Sequence, residues 1–162
     1  MIYFSLESGG SVINTLISIL KKGFLTISSL GISEVKDSSV AKQIIFVNQT
    51  ALTFIIAGIP FESIFFIFGY YKLALIGIPA ILSFVICLLL NHYRYYFMSQ
   101  ISLLTWIMIP VYLYSHLLGT QSGIQNVFFI CVACAWGIFN HRQRLSKIIF
   151  TLVPVFLFYS LF

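Results

Sequence analysis

From residue 44 onward the chain alternates long apolar runs with short polar joints, whereas residues 1–43 mix the two at helical spacing. In that first stretch Ile13, Leu16, Ile17, Leu20, Phe24 and Ile27 recur on one helical face, with Ser11 as a candidate N-cap and Gly31 as a stop. Lys21 and Lys22 interrupt the face. Carrying them across a bilayer costs about 2.5–3.5 kcal/mol each on insertion scales. The pattern therefore predicts an amphipathic helix lying in the membrane interface, with a helix packed on a partner domain as the alternative. Glu34, Lys36, Asp37 and the two serines after them read as a short linker.

The runs that follow predict about five helical spans. The first extends from Ile44 to Gly69, longer than a bilayer needs, so that Asn48 and Gln49 lie at one interface and Glu62 near the other, with Pro60 bending it. The second, Leu73 to Leu90, carries no charge and runs into Asn91, His92, Tyr93, Arg94, Tyr95 and Tyr96, an interfacial belt of aromatics around a cation. The third covers Ile101 to Leu118, and the uncharged loop Gly119-Thr120-Gln121-Ser122-Gly123 joins it to a short fourth, Ile124 to Phe139. A basic joint of His141, Arg142, Gln143, Arg144 and Lys147 precedes the fifth, from Ile148 to Phe162. The expected fold class is thus all-α: a polytopic transmembrane helical bundle over residues 44–162, with a cytoplasmic N-terminal segment and its interfacial helix over residues 1–43. Because the last run is still apolar at Phe162, the chain reads as part of a longer protein.

Composition removes the water-soluble alternatives. The chain has 162 residues, 60% hydrophobic and 8% charged, and a mean hydropathy of +1.03. An ordinary soluble domain is about one-quarter charged. The net charge of +5 does not indicate nucleic acid, since the basic residues form no aromatic-interleaved stripe. They mark topology instead. Lys21, Lys22, Lys36, Lys42, Arg94, Arg142, Arg144 and Lys147 fall on one side of the predicted bundle and only Lys72 on the other. The positive-inside rule then puts the N-terminus in the cytoplasm, in what reads as a bacterial cytoplasmic membrane.

Candidate chemistry is sparse. Glu62 is the one acid inside an apolar run, and a carboxylate at such a place usually faces a partner or water. Lys72 and His116 fall on the same side. With Tyr112, Gln121 and Gln125, and with Tyr70, Thr120 and Asn126, they are candidates to line an outward-facing polar pocket for a ligand. The plainer alternative is that Glu62 reaches the interface and pairs loosely with Lys72. His92 and His141 lie at the opposite side, no span carries two histidines, and no HExxH, GxSxG or Walker pattern occurs. No catalytic residue, metal site or cofactor is expected. Cys87, Cys131 and Cys134 sit in apolar runs and read as packing residues, the CxxC of the last two lacking further ligands at metal spacing.

Three stretches carry a resemblance: Ala41-Lys42-Gln43-Ile44-Ile45-Phe46-Val47-Asn48 ahead of the first span, Gly119-Thr120-Gln121-Ser122-Gly123 ahead of the fourth, and His141-Arg142-Gln143-Arg144 after it. In this order, over about residues 30–162, the chain resembles the multi-span membrane sensor regions that precede nucleotide cyclase or histidine kinase domains in bacterial signalling proteins. It departs from them in lacking a sixth span and an effector domain. The resemblance implies a non-catalytic sensor module that couples a membrane or small-molecule signal to a cytoplasmic effector, fused or separate, and that works as a homo-oligomer, a dimer, in contact with membrane lipid. A structural subunit of a larger membrane complex and a small transporter or channel subunit are the alternatives. The topology is open to direct measurement. A membrane-impermeant thiol reagent applied from outside should label a cysteine placed at Gln121 and spare one placed at Gln143; the reverse pattern inverts the orientation.

Overall fold

The computed structural model describes residues 7–32, 35 and 37–162, with the backbone alone at 7–13, 16 and 120. The linker residues Glu34 and Lys36 and the side chains of Ile13 and Leu16 lie outside that description. Six helices account for the described chain: α1 (Glu7–Ser28), α2 (Ser38–Ile67), α3 (Tyr71–His92), α4 (Tyr96–Leu118), α5 (Val127–Ile138) and α6 (Arg144–Tyr159). Short 3-10 turns at Thr120–Ser122, Ile124–Asn126 and His141–Gln143 join the later ones. Three helices, α2, α3 and α4, are long and apolar enough to cross a membrane, and Ile124–Ile138 forms a shorter apolar helix. The lysine-interrupted α1 is not among them. Of the five expected spans, the fourth and fifth correspond to the shorter α5 and α6.

Two helix starts differ from the sequence expectation. Ser11 is not an N-cap, because α1 already begins at Glu7. The supposed linker before Ile44 is in part the first turns of α2, since the Asp37 side chain accepts from the Ser39 amide at 2.8 Å and starts the helix at Ser38. The resulting helix of 30 residues is about 45 Å long at 1.5 Å per residue, well over the roughly 30 Å hydrocarbon core. It ends where Gly69 takes φ 78° and the Tyr70 amide donates to the Phe65 carbonyl at 2.9 Å. This is a left-handed closure that glycine adopts without strain. Pro60, Pro79, Pro110 and Pro154 all lie inside their helices.

The helices pack in chain order, α2 on α3, α3 on α4 and α5 on α6, with α4 also against α5. Their shared core is built from single faces: Val47 and Ala51 of α2, Ala80, Phe84 and Cys87 of α3, Leu103, Leu104 and Ile107 of α4, and Phe128, Cys131 and Ala135 of α5. Cys87 and Cys131 are buried in it as free thiols. The opposite faces expose large apolar side chains such as Ile64, Phe66, Leu75 and Leu82, a surface that suits hydrocarbon.

Polar side chains tie the helices together at the end that carries the basic loops. Asn48 of α2 is fully buried. Its amide donates to the carbonyls of Ser28 at 3.1 Å and Leu30 at 3.0 Å, while its oxygen accepts from the Asn91 amide of α3 at 2.7 Å. The first is the carbonyl of the last residue of α1, left without a helical partner, and the second belongs to the turn that follows. Gly31, at φ 83°, makes the close approach possible, for a Cβ there would collide with the Asn91 carbonyl. The Gly31 carbonyl in turn accepts from the Tyr96 hydroxyl of α4 at 2.8 Å. The junction is thus a latch joining α1 to α2, α3 and α4. Substituting Asn48→Ala and Asn91→Ala singly and together should give a coupling of about 0.6–1.7 kcal/mol, the range of interhelical hydrogen bonds in membranes. Unfolding in mixed micelles measures it, and additive effects would show that the latch contributes nothing as a pair.

Candidate functional site

Glu62 lies five residues before the end of α2, and apart from Ser63 its neighbours along the helix are apolar. It is only 9% exposed, so the carboxyl turns inward. There Oε1 accepts from the Tyr114 hydroxyl of α4 at 2.6 Å. The same hydroxyl lies 3.2 Å from the Leu73 carbonyl in the first turn of α3. Three helices therefore meet at one carboxyl group, at the end of the bundle opposite the latch. Oε2 is buried and has no hydrogen-bond partner among the described residues.

Space for the carboxyl comes from an absence on α3. A Cβ added to Gly77 would overlap the carboxyl carbon and both its oxygens. Gly77 is consequently the notch into which Glu62 folds, and any larger residue there must push the carboxyl off Tyr114.

Glu62 is part of the lining of a cavity of about 250 Å³ between α2, α3 and α4. Its walls include Phe54 and Phe61 of α2, Phe84 of α3, and Trp106 and Pro110 of α4, and apart from Glu62 and the Tyr114 hydroxyl they are apolar. Phe54 and Phe84 stack with centroids 5.2 Å apart, and Phe61 meets Tyr114 edge-on at 6.4 Å. Every lining residue lies within a helix and none in a loop. With Phe61 45% exposed at the rim, the cavity opens on the flank of the bundle.

The other expected site residues do not join Glu62. Lys72 and His116, the expected charged partners, are both exposed. Tyr112 is half-buried and faces a separate groove with Ile149, Phe150 and Val153 of α6, its ring stacked on His116 at 6.5 Å. Gln121 is exposed in the first 3-10 turn, and Gln125 is buried in the second. None of the five lines the Glu62 cavity. The partner that the sequence reading passed over is Tyr114. A signal for it exists: Ile107, Val111 and Tyr114 are spaced four and three apart, on one helical face with the buried core of α4.

Among the described residues no group of three or more His, Cys, Asp or Glu side chains is placed to hold a metal. No family model, curated protein or solved structure matches this chain. The chemistry available is that of one carboxyl, with one oxygen lacking a partner among the described residues and the other bonded to a phenol, beside an aromatic, apolar chamber: it can bind a hydrogen-bond donor or a cation.

Gly77→Ala should destabilise the bundle by about 1–3 kcal/mol, the usual cost of overpacking. It should cost markedly less in a chain that already carries Glu62→Ala. Equal costs in the two backgrounds, read from unfolding in mixed micelles, would show that Gly77 makes no room for the carboxyl.

Proposed function

We propose that this chain is a non-catalytic membrane sensor module, in which occupancy of the flank cavity alters the packing of α2, α3 and α4 and so repositions the elements at the basic end. The carrying observation is that one pair of helices serves both ends. α2 and α3 hold Glu62 and Gly77 at the cavity, and they hold Asn48 and Asn91 at the latch to α1. A signal changes such an equilibrium only by binding one packing arrangement better than another, and a cavity walled by three helices gives an occupant contact with all of them.

In this reading α2 to α6 are the five spans, the basic end faces the cytoplasm and Glu62 lies in the outer half of the membrane. The amphipathic α1 lies at the cytoplasmic face. Ile17, Leu20 and Leu25 are exposed on it, which suits contact with the membrane interface. The effector, fused or separate, receives the displacement of α1 and of the His141–Gln143 turn. A purely structural subunit has no use for a carboxyl group buried in the lining of a cavity, whose burial in hydrocarbon is expensive.

The reading is tested without knowing the signal. Spin labels at positions 22 and 142, both exposed, are placed in a chain whose three cysteines are replaced by alanine, and the protein is reconstituted in nanodiscs. Glu62→Gln should shift the distance between the labels by about 1–2 Å, the size of helix displacements in switching proteins. An unchanged distribution in a correctly inserted variant would mean that the two ends are uncoupled, and the chain would then be a structural subunit.

A further inference from the structure

The cavity also specifies what kind of molecule it takes, and this step rests on the reading of the cavity as the signal site. Its opening lies on the flank, level with helix interiors, so an occupant arrives through lipid and must partition there. Most of the wall is hydrocarbon, which holds the body of such a molecule by simple burial. The carboxyl is different. Tyr114 supplies a donor to Oε1 at 2.6 Å, and Oε2 is left buried without one. Oε2 packs against Gly77, closed to solvent, so a donor coming from the cavity meets it once the carboxyl turns toward the open space, and that donor is the missing piece.

The head group's charge follows from its surroundings. An anion would face a carboxyl group and aromatic π faces, both unfavourable to it. A cation would meet opposite charge at Glu62 and the rings of Phe61, Phe84, Trp106 and Tyr114 around it, the combination that recognises ammonium groups elsewhere. A neutral hydroxyl can donate but brings no counter-charge, and its bond to the carboxyl is weaker than that of a charged donor. A quaternary ammonium carries the charge and has no N–H for Oε2. We infer that the cavity binds a lipophilic amine whose ammonium head donates to Glu62 Oε2 and whose hydrocarbon body lies along Phe54, Phe84 and Trp106.

The test uses a diazirine-bearing decylamine as probe, with the full chain in phosphatidylcholine–phosphatidylglycerol nanodiscs, irradiation, and mass-spectrometric mapping of the adducts. Saturable labelling should concentrate on cavity residues such as Phe54 and Trp106. Decylamine should displace the probe, whereas decanol and decanoic acid at equal membrane concentration should not. Glu62→Gln should weaken labelling by about tenfold or more, as loss of one partner of a buried charge pair does. Because that variant also removes a structural hydrogen bond, Ala57→Trp provides a second one: Ala57 lines the cavity from an exposed position, and the indole should block the chamber while leaving the fold in place. Displacement by all three competitors alike, or labelling that neither substitution reduces, would identify mere partitioning and overturn the assignment. Labelling is independent of the spin-label distances. Specific amine binding with unchanged distances refutes the sensor reading and keeps the ligand, whereas coupled ends without amine selectivity do the opposite.

Discussion

In hydrocarbon, one apolar side chain gains little by leaving lipid for another, so helix association rests on close packing and on the few polar groups that lipid cannot satisfy. This chain has few such groups, and several of them bond between helices. Asn48 and Asn91 join α2 to α3 and hold the carbonyls at the end of α1. Ser99 of α4 donates to the Cys87 carbonyl of α3 at 2.9 Å. Gln100 donates to the Ile138 carbonyl at the end of α5 and accepts from Gln143. Glu62 and Tyr114 close the far end. Removing any one of these leaves a buried polar group with no water to turn to, which is why they, more than the surrounding leucines and isoleucines, decide which helices meet.

How legible this was depends on whether a feature is local. Long apolar runs are read from hydropathy alone, and α2, α3 and α4 lie where the runs lie. Helix starts were less visible. Asp37 looked like linker because it is polar and follows a polar stretch, yet a polar side chain that accepts from an amide two residues on is what begins a helix. Glu62 stood out because an acid in an apolar run is costly wherever the helix turns. Its partner did not, because charge complementarity was the criterion applied, and it points to Lys72 and His116. Lysine near a helix end can extend to the interface and keep its charge solvated, and Lys72 is exposed in the first turn of α3. A phenol satisfies a buried carboxyl without bringing a second charge out of water, and that favours Tyr114. Gly77 was illegible for another reason: the value of a missing side chain depends on what crosses it.

The two polar clusters differ in a way that bears on function. The latch is closed: Asn48 spends its donors on two carbonyls and its acceptor on Asn91, and Gly31 brings the backbone close enough for nothing else to fit. The Glu62 cluster is open, with one oxygen unpaired, and it borders a cavity where the latch borders packed backbone. A molecule whose task was only to hold its helices together would gain stability from replacing Glu62 by an apolar residue that fills the chamber, because a buried polar group that is only partly paired is less stable than apolar packing of the same volume. The carboxyl adds no stabilisation that such a residue would not exceed. An occupant that supplies the missing donor changes that balance, since it converts the costly group into a paired one. It does so by engaging α2 and α3, the helices whose other ends carry the latch. In the proposed sensor the two clusters are complementary: the open one gives a ligand something to bind differently in two packings, and the closed one links α2 and α3 to the end of α1.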